Sequence, residues 1–284
     1  HGLFIASHCA LLNATPMIFL DKFDASEVMA RLPDATVMMG VPTFYTRLLD
    51  QPELTPERVA HMRVFICGSA PLTEQTFEEW EQRTGHRILE RYGMSETIIN
   101  TSNPLQGERV AGTVGFALPG QRVRVADEAG VPVAAGEVGM IEVAGPNVFQ
   151  GYWRMPEKTA EEIRADGFFI TGDLGVQAAD GRLSIVGRSK DLVISGGYNV
   201  YPKEVEVALD DMPQVSESAV IGVPHPDFGE VVVAVIVPVA DEVTQVQVDA
   251  ALSDQLARFK QPKRVMNVTE LPRNTMGKVQ KNML

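Results

Sequence analysis

The stretch RVFICGSAPLTEQTFEEWEQ, residues 63–82, passes from a short apolar run through a loop of small residues into a helical pattern. The same arrangement stands on either side of it. TVMMGV (36–41) runs into PTFYTRLL, and HRILE (86–90) runs into RYGMSET. Short strands alternating with helices imply βαβ units and a mainly parallel sheet, and ligands of such sheets sit beyond the carboxyl ends of the strands. The loops Gly68-Ser69-Ala70-Pro71 and Arg91-Tyr92-Gly93-Met94-Ser95-Glu96 are therefore expected on one rim, with residues 42–47 beside them.

Between about 110 and 188 the pattern changes to short β runs separated by glycine-bearing turns, which suggests a meander or small barrel; Asp180-Gly181 is its hairpin signal. After GRSKD a compact α+β unit follows. One helix there carries Val205, Ala208, Leu209 and Met212 on one face behind Pro202, and a second carries Val248, Ala251, Leu252, Leu256 and Phe259. Strands are expected at 218–223 and 231–239. The fold class is α/β: residues 1–189 form a large domain (1–109 α/β, 110–189 β-rich), and residues 190–284 a small α+β domain, with the boundary near Arg188 to Asp191.

At 284 residues, 45% hydrophobic and 22% charged, the chain reads as about two folded domains. No apolar run approaches the ~20 residues of a membrane helix. With net charge −12 and no Lys/Arg-rich block, nothing resembles a nucleic-acid footprint, so an anionic ligand must be held by local groups. Cys9 and Cys67 lie in apolar contexts without metal-like spacing, which predicts buried thiols in a reducing, cytoplasmic compartment. The first residue is His1 rather than Met, which reads as the later part of a longer reading frame.

Small residues in GSAP let a flat ligand approach the backbone, or form an ordinary tight turn. RYGMSET combines an aromatic, a glycine, a hydroxyl and a carboxylate, which suits a base, a phosphate and Mg²⁺, an ion that prefers oxygen ligands. In TGDLG, Asp173 either caps a turn or accepts the hydroxyls of a ribose, with Arg188 as a second clamp. Gly196-Gly197 is either a plain loop or a place where a narrow ligand passes the backbone. Gly277 and Lys278 close the chain among polar residues, with almost nothing apolar to anchor them.

GSAPL, ERYGMSET, FFITGDLG, VGRSKDLVISGGYNVYPKEVE and LPRNTMGKVQK resemble, in this order, the motifs of the adenylate-forming acyl-CoA synthetases, relatives of luciferases and non-ribosomal adenylation domains. HGLF, MGVPTFYTRLL and GPNVFQGYWRMPEKT look most like malonyl-CoA synthetases. The resemblance implies a two-step reaction with ATP, Mg²⁺ and coenzyme A: a carboxylate displaces pyrophosphate to give an acyl-adenylate, and the thiol then displaces AMP. It implies that Gly68, Ser69, Ala70 and Pro71 line the adenine site and Tyr92 stacks on the base, that Glu90, Arg91, Gly93 and Met94 belong to the nucleotide site, that Ser95 contacts the α-phosphate, that Glu96 binds Mg²⁺, and that Asp173 and Arg188 hold the ribose. Lys278 matches the family's catalytic lysine, Lys190 its hinge, and Gly196, Gly197 and Tyr198 its pantetheine tunnel. His1, Arg47, Ser69, Arg91 and Met94 would form the acyl pocket, with Arg47 or Arg91 on the distal carboxylate of a diacid such as malonate or methylmalonate.

The chain departs from the family in lacking its TSGTTG-type phosphate loop, and Ser95 stands where Thr is more common. These 284 residues alone are expected to be inactive and poorly soluble. Two other readings stay open: another acyl-CoA ligase or carrier-loading adenylation domain, and a half-protein that binds nucleotide or a partner without catalysis. Small-molecule carboxylate, ATP and coenzyme A are the expected partners, with no nucleic acid; oligomeric state is not legible.

Overall fold

The computed structural model describes residues 2–274 and 278–284; His1 and residues 275–277 lie outside the described residues. The chain divides into two compact units, one running to Thr171 and including Gly175–Ile185, the other made of Gly172–Leu174 and Val186–Leu284.

The first unit opens with the expected βαβ units. Strands β1 (Val37–Gly40), β2 (Val64–Cys67) and β3 (Leu89–Tyr92) pair in parallel, and β4 (Thr101–Ser102) and β5 (Phe116–Ala117) extend the sheet antiparallel. Helix Pro42–Leu49 begins on a proline, whose missing N–H costs nothing in a first turn. Helix Glu74–Thr84 is capped by Thr73, whose hydroxyl accepts from the Thr76 amide, and ends on left-handed Gly85. Both helices pack on the sheet through aromatic rings: fully buried Trp80 meets Tyr45 and Phe65 edge-on, each at 4.9 Å between centroids. The buried Tyr45 hydroxyl is satisfied by donating to the Ile66 carbonyl at 2.6 Å, which locks helix to strand.

The β-rich part of the chain carries a four-stranded sheet in chain order: β6 (Arg122–Ala126), β7 (Val138–Ala144), β8 (Phe169–Gln177) and β9 (Leu183–Arg188). Asp180-Gly181 turns β8 into β9, with Gly181 at φ +91° and its N–H donating to Ala178 O at 2.9 Å. Glu142, fully buried, is held between Arg124 at 2.8 Å and Arg164 at 2.6 Å, so its burial is compensated on both oxygens.

In the second unit, β10 (Val193–Ser195), β11 (Tyr198–Val200), β12 (Val215–His225), β13 (Gly229–Pro238) and β14 (Arg264–Asn267) form one sheet, with β13 between β10 and β12 and also pairing β14. Helix Pro202–Asp210 and helix Gln245–Leu252 supply Val205, Leu209, Val248 and Leu252 to a core shared with Val220, Ala234 and Ile236. The second helix is shorter than its periodicity predicts. It stops at Leu252, where Ser253 and Asp254, weak helix formers, let the chain turn; Leu256 and Phe259 still join the core from those turns. Cys67 is buried as expected, but Cys9 is exposed, because helix His8–Leu12 buries none of its residues. No helix among the described residues is long and apolar enough to cross a membrane.

Asp210 of this unit is a half-buried carboxyl that accepts from Ser218 Oγ at 2.7 Å. Burial raises its pKa from 3.8 to about 6, with Glu206 adding to the rise and Ser218 and Lys203 opposing it. Between those two values the folded carboxyl holds a proton that the unfolded one has lost, so stability falls as pH rises through about 6. Asp210→Asn is expected to raise the denaturant midpoint above pH 6, with the advantage vanishing below about pH 4; midpoints measured from pH 4 to 8 check it.

Candidate active site

The rim beyond β1, β2 and β3 is assembled as the sequence predicts. Gly68, buried just past β2, donates its N–H to Gly40 O at the end of β1, and Ser69 then takes a left-handed conformation at φ +74°. That conformation is costly for a residue with a side chain and persists only where its surroundings enforce it. Glu90 enforces part of it from β3: its buried carboxylate accepts from the Leu72 amide at 3.1 Å. Glu90 thus acts by holding the 68–72 loop.

Past β3 the chain folds over itself. Ile98 N–H donates to Met94 O at 2.7 Å, Ile98 adopts φ +63°, and its carbonyl lies so close to Gly93 that a Cβ there would stand 2.0 Å away. Gly93 is demanded by this close approach, independent of any ligand. The fold leaves Ser95 exposed and Met94 and Glu96 half-buried. Tyr92 belongs to the apolar cluster of Val114, Val125, Ile141, Val143 and Leu183, with 7% of its surface exposed.

Arg91, on β3, is half-buried, its Nε has no hydrogen-bond partner, and burial lowers its pKa. Arg47 is exposed on the last turn of helix Pro42–Leu49 and makes no ion pair among the described residues. The role expected of His1 falls outside the described residues.

A partner of this loop escaped the sequence reading. Residues 147–152, from the quoted GPNVFQGYW, dock on it: Asn147 Nδ2 donates to Thr97 O at 2.7 Å, Phe149 N–H to Glu96 O at 2.8 Å, and the Tyr152 hydroxyl lies 3.3 Å from Glu96 Oε1 while donating to Glu162 Oε2 at 2.6 Å. Burial, and then the carboxylates of Glu162 and Glu96, hold the Tyr152 phenol well above its ordinary pKa. The motif was visible; its contacts, some 50 residues away in sequence, were not.

Of the two readings of Asp173, the turn cap does not hold. TGDLG is not a turn but the middle of β8, where alternation puts Phe169, Thr171, Asp173 and Gly175 on the buried face. Asp173 pairs with Arg188 Nε at 3.1 Å, and Arg188 stays half-exposed. Gly196 and Gly197, at φ +58° and +82°, are the two-residue turn between β10 and β11, a primed hairpin geometry that requires positive φ at both positions. The ring of Tyr198 is exposed and stacks on Phe259 at 4.6 Å. Lys190 is exposed in the short turn Ser189–Asp191.

The closing segment is better anchored than its composition suggests. Asn274 N–H donates to Lys278 O at 2.9 Å, and Lys278 N–H returns to Asn274 Oδ1 at 3.0 Å. Val279 and Leu284 pack on Ala219, Val235 and Leu271, and Lys281 pairs with the buried carboxylate of Glu206 at 2.5 Å.

The described residues contain no cluster of three or more His, Cys, Asp or Glu able to hold a metal alone. A single oxygen donor such as Glu96 nevertheless fits Mg²⁺, which takes its remaining ligands from phosphates and water.

Residues 1–153 match the family model of the AMP-binding enzymes and residues 204–278 that of the AMP-binding enzyme C-terminal domain. The chain belongs to the AMP-binding enzyme family. It is 39% identical to a probable CoA ligase of Humulus lupulus and 37% identical to a malonate–CoA ligase of Arabidopsis thaliana, in each case over 100% of this chain and 52% of the relative. The crystal structure of ATP-bound MatB from Rhodopseudomonas palustris matches with a TM-score of 0.97 and 60% identity, over 100% of this chain and 57% of that one. The chain spans about half the length of the curated relatives it matches. These matches agree with the fold class and the family resemblance legible in the sequence.

The geometry separates two glycines. Gly93→Ala is expected to destabilise the protein by about 2–4 kcal/mol, since backbone must move, whereas Gly197→Ala, with open space around it and only its φ to resist, costs ~1–2 kcal/mol. Denaturant unfolding of both variants checks the contrast.

Proposed function

We propose that the complete protein carrying this chain ligates a small dicarboxylic acid, malonate and with it methylmalonate, to coenzyme A through an acyl-adenylate. The observation that carries the diacid is Arg91: a desolvated guanidinium with an unpartnered Nε at the rim is costly unless an anion meets it. The identity to a malonate–CoA ligase supports this choice. Both cysteines are unpaired, which suits a reducing, cytoplasmic compartment.

In the first step the acid's free carboxylate attacks the α-phosphorus of ATP and pyrophosphate leaves. Gly68, Ser69, Ala70 and Pro71 offer the adenine a backbone surface bare of long side chains, beside Tyr92. The Ser95 hydroxyl faces the α-phosphate, and Asp173, oriented by Arg188, accepts from the ribose. Glu96 would hold Mg²⁺, which would supply charge neutralisation to the nucleotide. Lys278 is a compact cation on a flexible stem that offsets the repulsion between carboxylate and phosphate as charge develops. In the second step the thiol displaces AMP; Lys278 gives way to the Gly196, Gly197 and Tyr198 segment, the exchange taking place at Lys190. Met94 shapes the pocket around C2, and a methyl there is worth only ~1–3 kcal/mol, so methylmalonate is accepted.

Lys278→Ala in the full-length protein is expected to slow adenylation by ~10²–10³ while leaving thioester formation from supplied malonyl-adenylate largely intact; equal losses in the two half-reactions would refute the role. Arg91→Gln should lower kcat/KM for malonate by ~30-fold or more, a loss of about 2 kcal/mol, with much less effect on acetate. A coenzyme A ligation assay across malonate, methylmalonate, succinate and acetate tests the substrate class, and a preference for acetate would sink it.

A further inference from the structure

The GPNVFQGYW segment is a motif for which the reaction above has no use, yet it makes three contacts with the two residues that close the RYGMSET loop. Asn147 and Phe149 donate to the carbonyls of Thr97 and Glu96, which fixes the backbone. Tyr152 addresses the side chain. Its hydroxyl has one hydrogen, shared unequally between two carboxylates, with the shorter contact, 2.6 Å, to Glu162 Oε2. Glu96 Oε1, 3.3 Å from the same oxygen, accepts the longer and weaker arm of that hydrogen bond, which orients the carboxylate.

Two carboxylates thus face one another across a phenol, and they are compensated unequally. Lys158 lies 3.8 Å from Glu162 Oε1 and 4.6 Å above the Tyr152 ring. Among the described residues no cationic side chain pairs with Glu96. The ring itself is set edge-on against Phe149 at 4.8 Å, and Phe149 against buried Phe169 at 5.4 Å, so the phenol has little freedom to swing away. The arrangement leaves Glu96 oriented and unneutralised.

From this we infer that Tyr152, fixed by Glu162 and Lys158, is a positioning residue that presets the Glu96 carboxylate for the divalent cation accompanying the nucleotide. The inference rests on the reading of Glu96 as the Mg²⁺ ligand. Partners that orient a metal ligand without touching the metal are commonly worth ~10–100-fold in metal affinity.

The test measures binding without turnover: ATP binding to the full-length protein is titrated with Mg²⁺, in the absence of acid and coenzyme A, for wild type, Tyr152→Phe, Glu162→Ala and Glu96→Gln. Tyr152→Phe keeps the ring and its packing and is expected to raise the half-saturating Mg²⁺ concentration ~10-fold or more, with AMP affinity in Mg²⁺-free buffer unchanged. Adding Tyr152→Phe to Glu96→Gln should bring no further loss. Glu162→Ala, at the end of helix Pro156–Glu162, should shift the Mg²⁺ requirement in the same direction, and it carries the test should Tyr152→Phe fail to fold. A shift in Glu96→Gln with none in either Tyr152→Phe or Glu162→Ala overturns the role of Tyr152 and leaves the metal reading standing. No shift in Glu96→Gln overturns both.

Discussion

The carbonyl of Ile98 lying against Gly93 is the constraint on which the rest of the candidate site depends. A strand that ended at Tyr92 and continued outward would carry Met94, Ser95 and Glu96 away from the rim. The chain turns back at once, and the turn is closed by the Ile98 amide on Met94 O. The conformation is not free: Ile98 is a β-branched residue at positive φ, a cost of about 1–3 kcal/mol that the surroundings must offset. Residues 147–152 provide that compensation by satisfying the carbonyls of Glu96 and Thr97, so the loop is overdetermined from outside.

The charge pattern follows the same logic. A chain of net charge −12 offers no general attraction to a nucleotide, so each charge near the rim must have a local account. Glu90 is spent on a backbone amide and Glu162 on a phenol and a lysine. Arg91 and Glu96 are left with the least compensation: a guanidinium whose Nε lacks an acceptor, and a carboxylate without a basic partner among the described residues. An anion complements the first and a cation the second, which is the ground for the diacid and the Mg²⁺ proposed above.

Legibility in the sequence tracked the range of the interaction. Runs such as VFIC and LERY are local, and their alternation with helices was enough to predict parallel pairing of β1, β2 and β3. Gly196-Gly197 stayed ambiguous because a hairpin turn and a ligand passage ask for the same residue type; positive φ at both positions shows the turn. Asp173 stayed open between a turn cap and a ribose contact because two flanking glycines are a turn signal; the strand runs straight through them and buries the carboxylate by alternation, which removes the turn-cap alternative. Cys9 looked buried because its neighbours are apolar, but Leu11 and Leu12 beside it are themselves exposed. Tyr152 could not be placed at all: its partner Glu96 is 56 residues away, and no periodicity connects them.

The closing lysine shows why composition misjudges anchoring. Few residues near Lys278 are apolar, yet Val279 and Leu284 suffice to seat the segment on Ala219, Val235 and Leu271, and Lys281 reaches a buried carboxylate whose other contact is the Val220 amide. In the role proposed for Lys278, an ammonium that meets two anions gains nothing from a wandering backbone, because each torsion left free must be frozen in the transition state at a cost in entropy. A mount fixed by the reciprocal bonds between Asn274 and Lys278 confines that cost to the four-carbon stem. For the role proposed for Lys278, the reach then comes from the side chain, and the polar character of the segment does not reflect a lack of attachment.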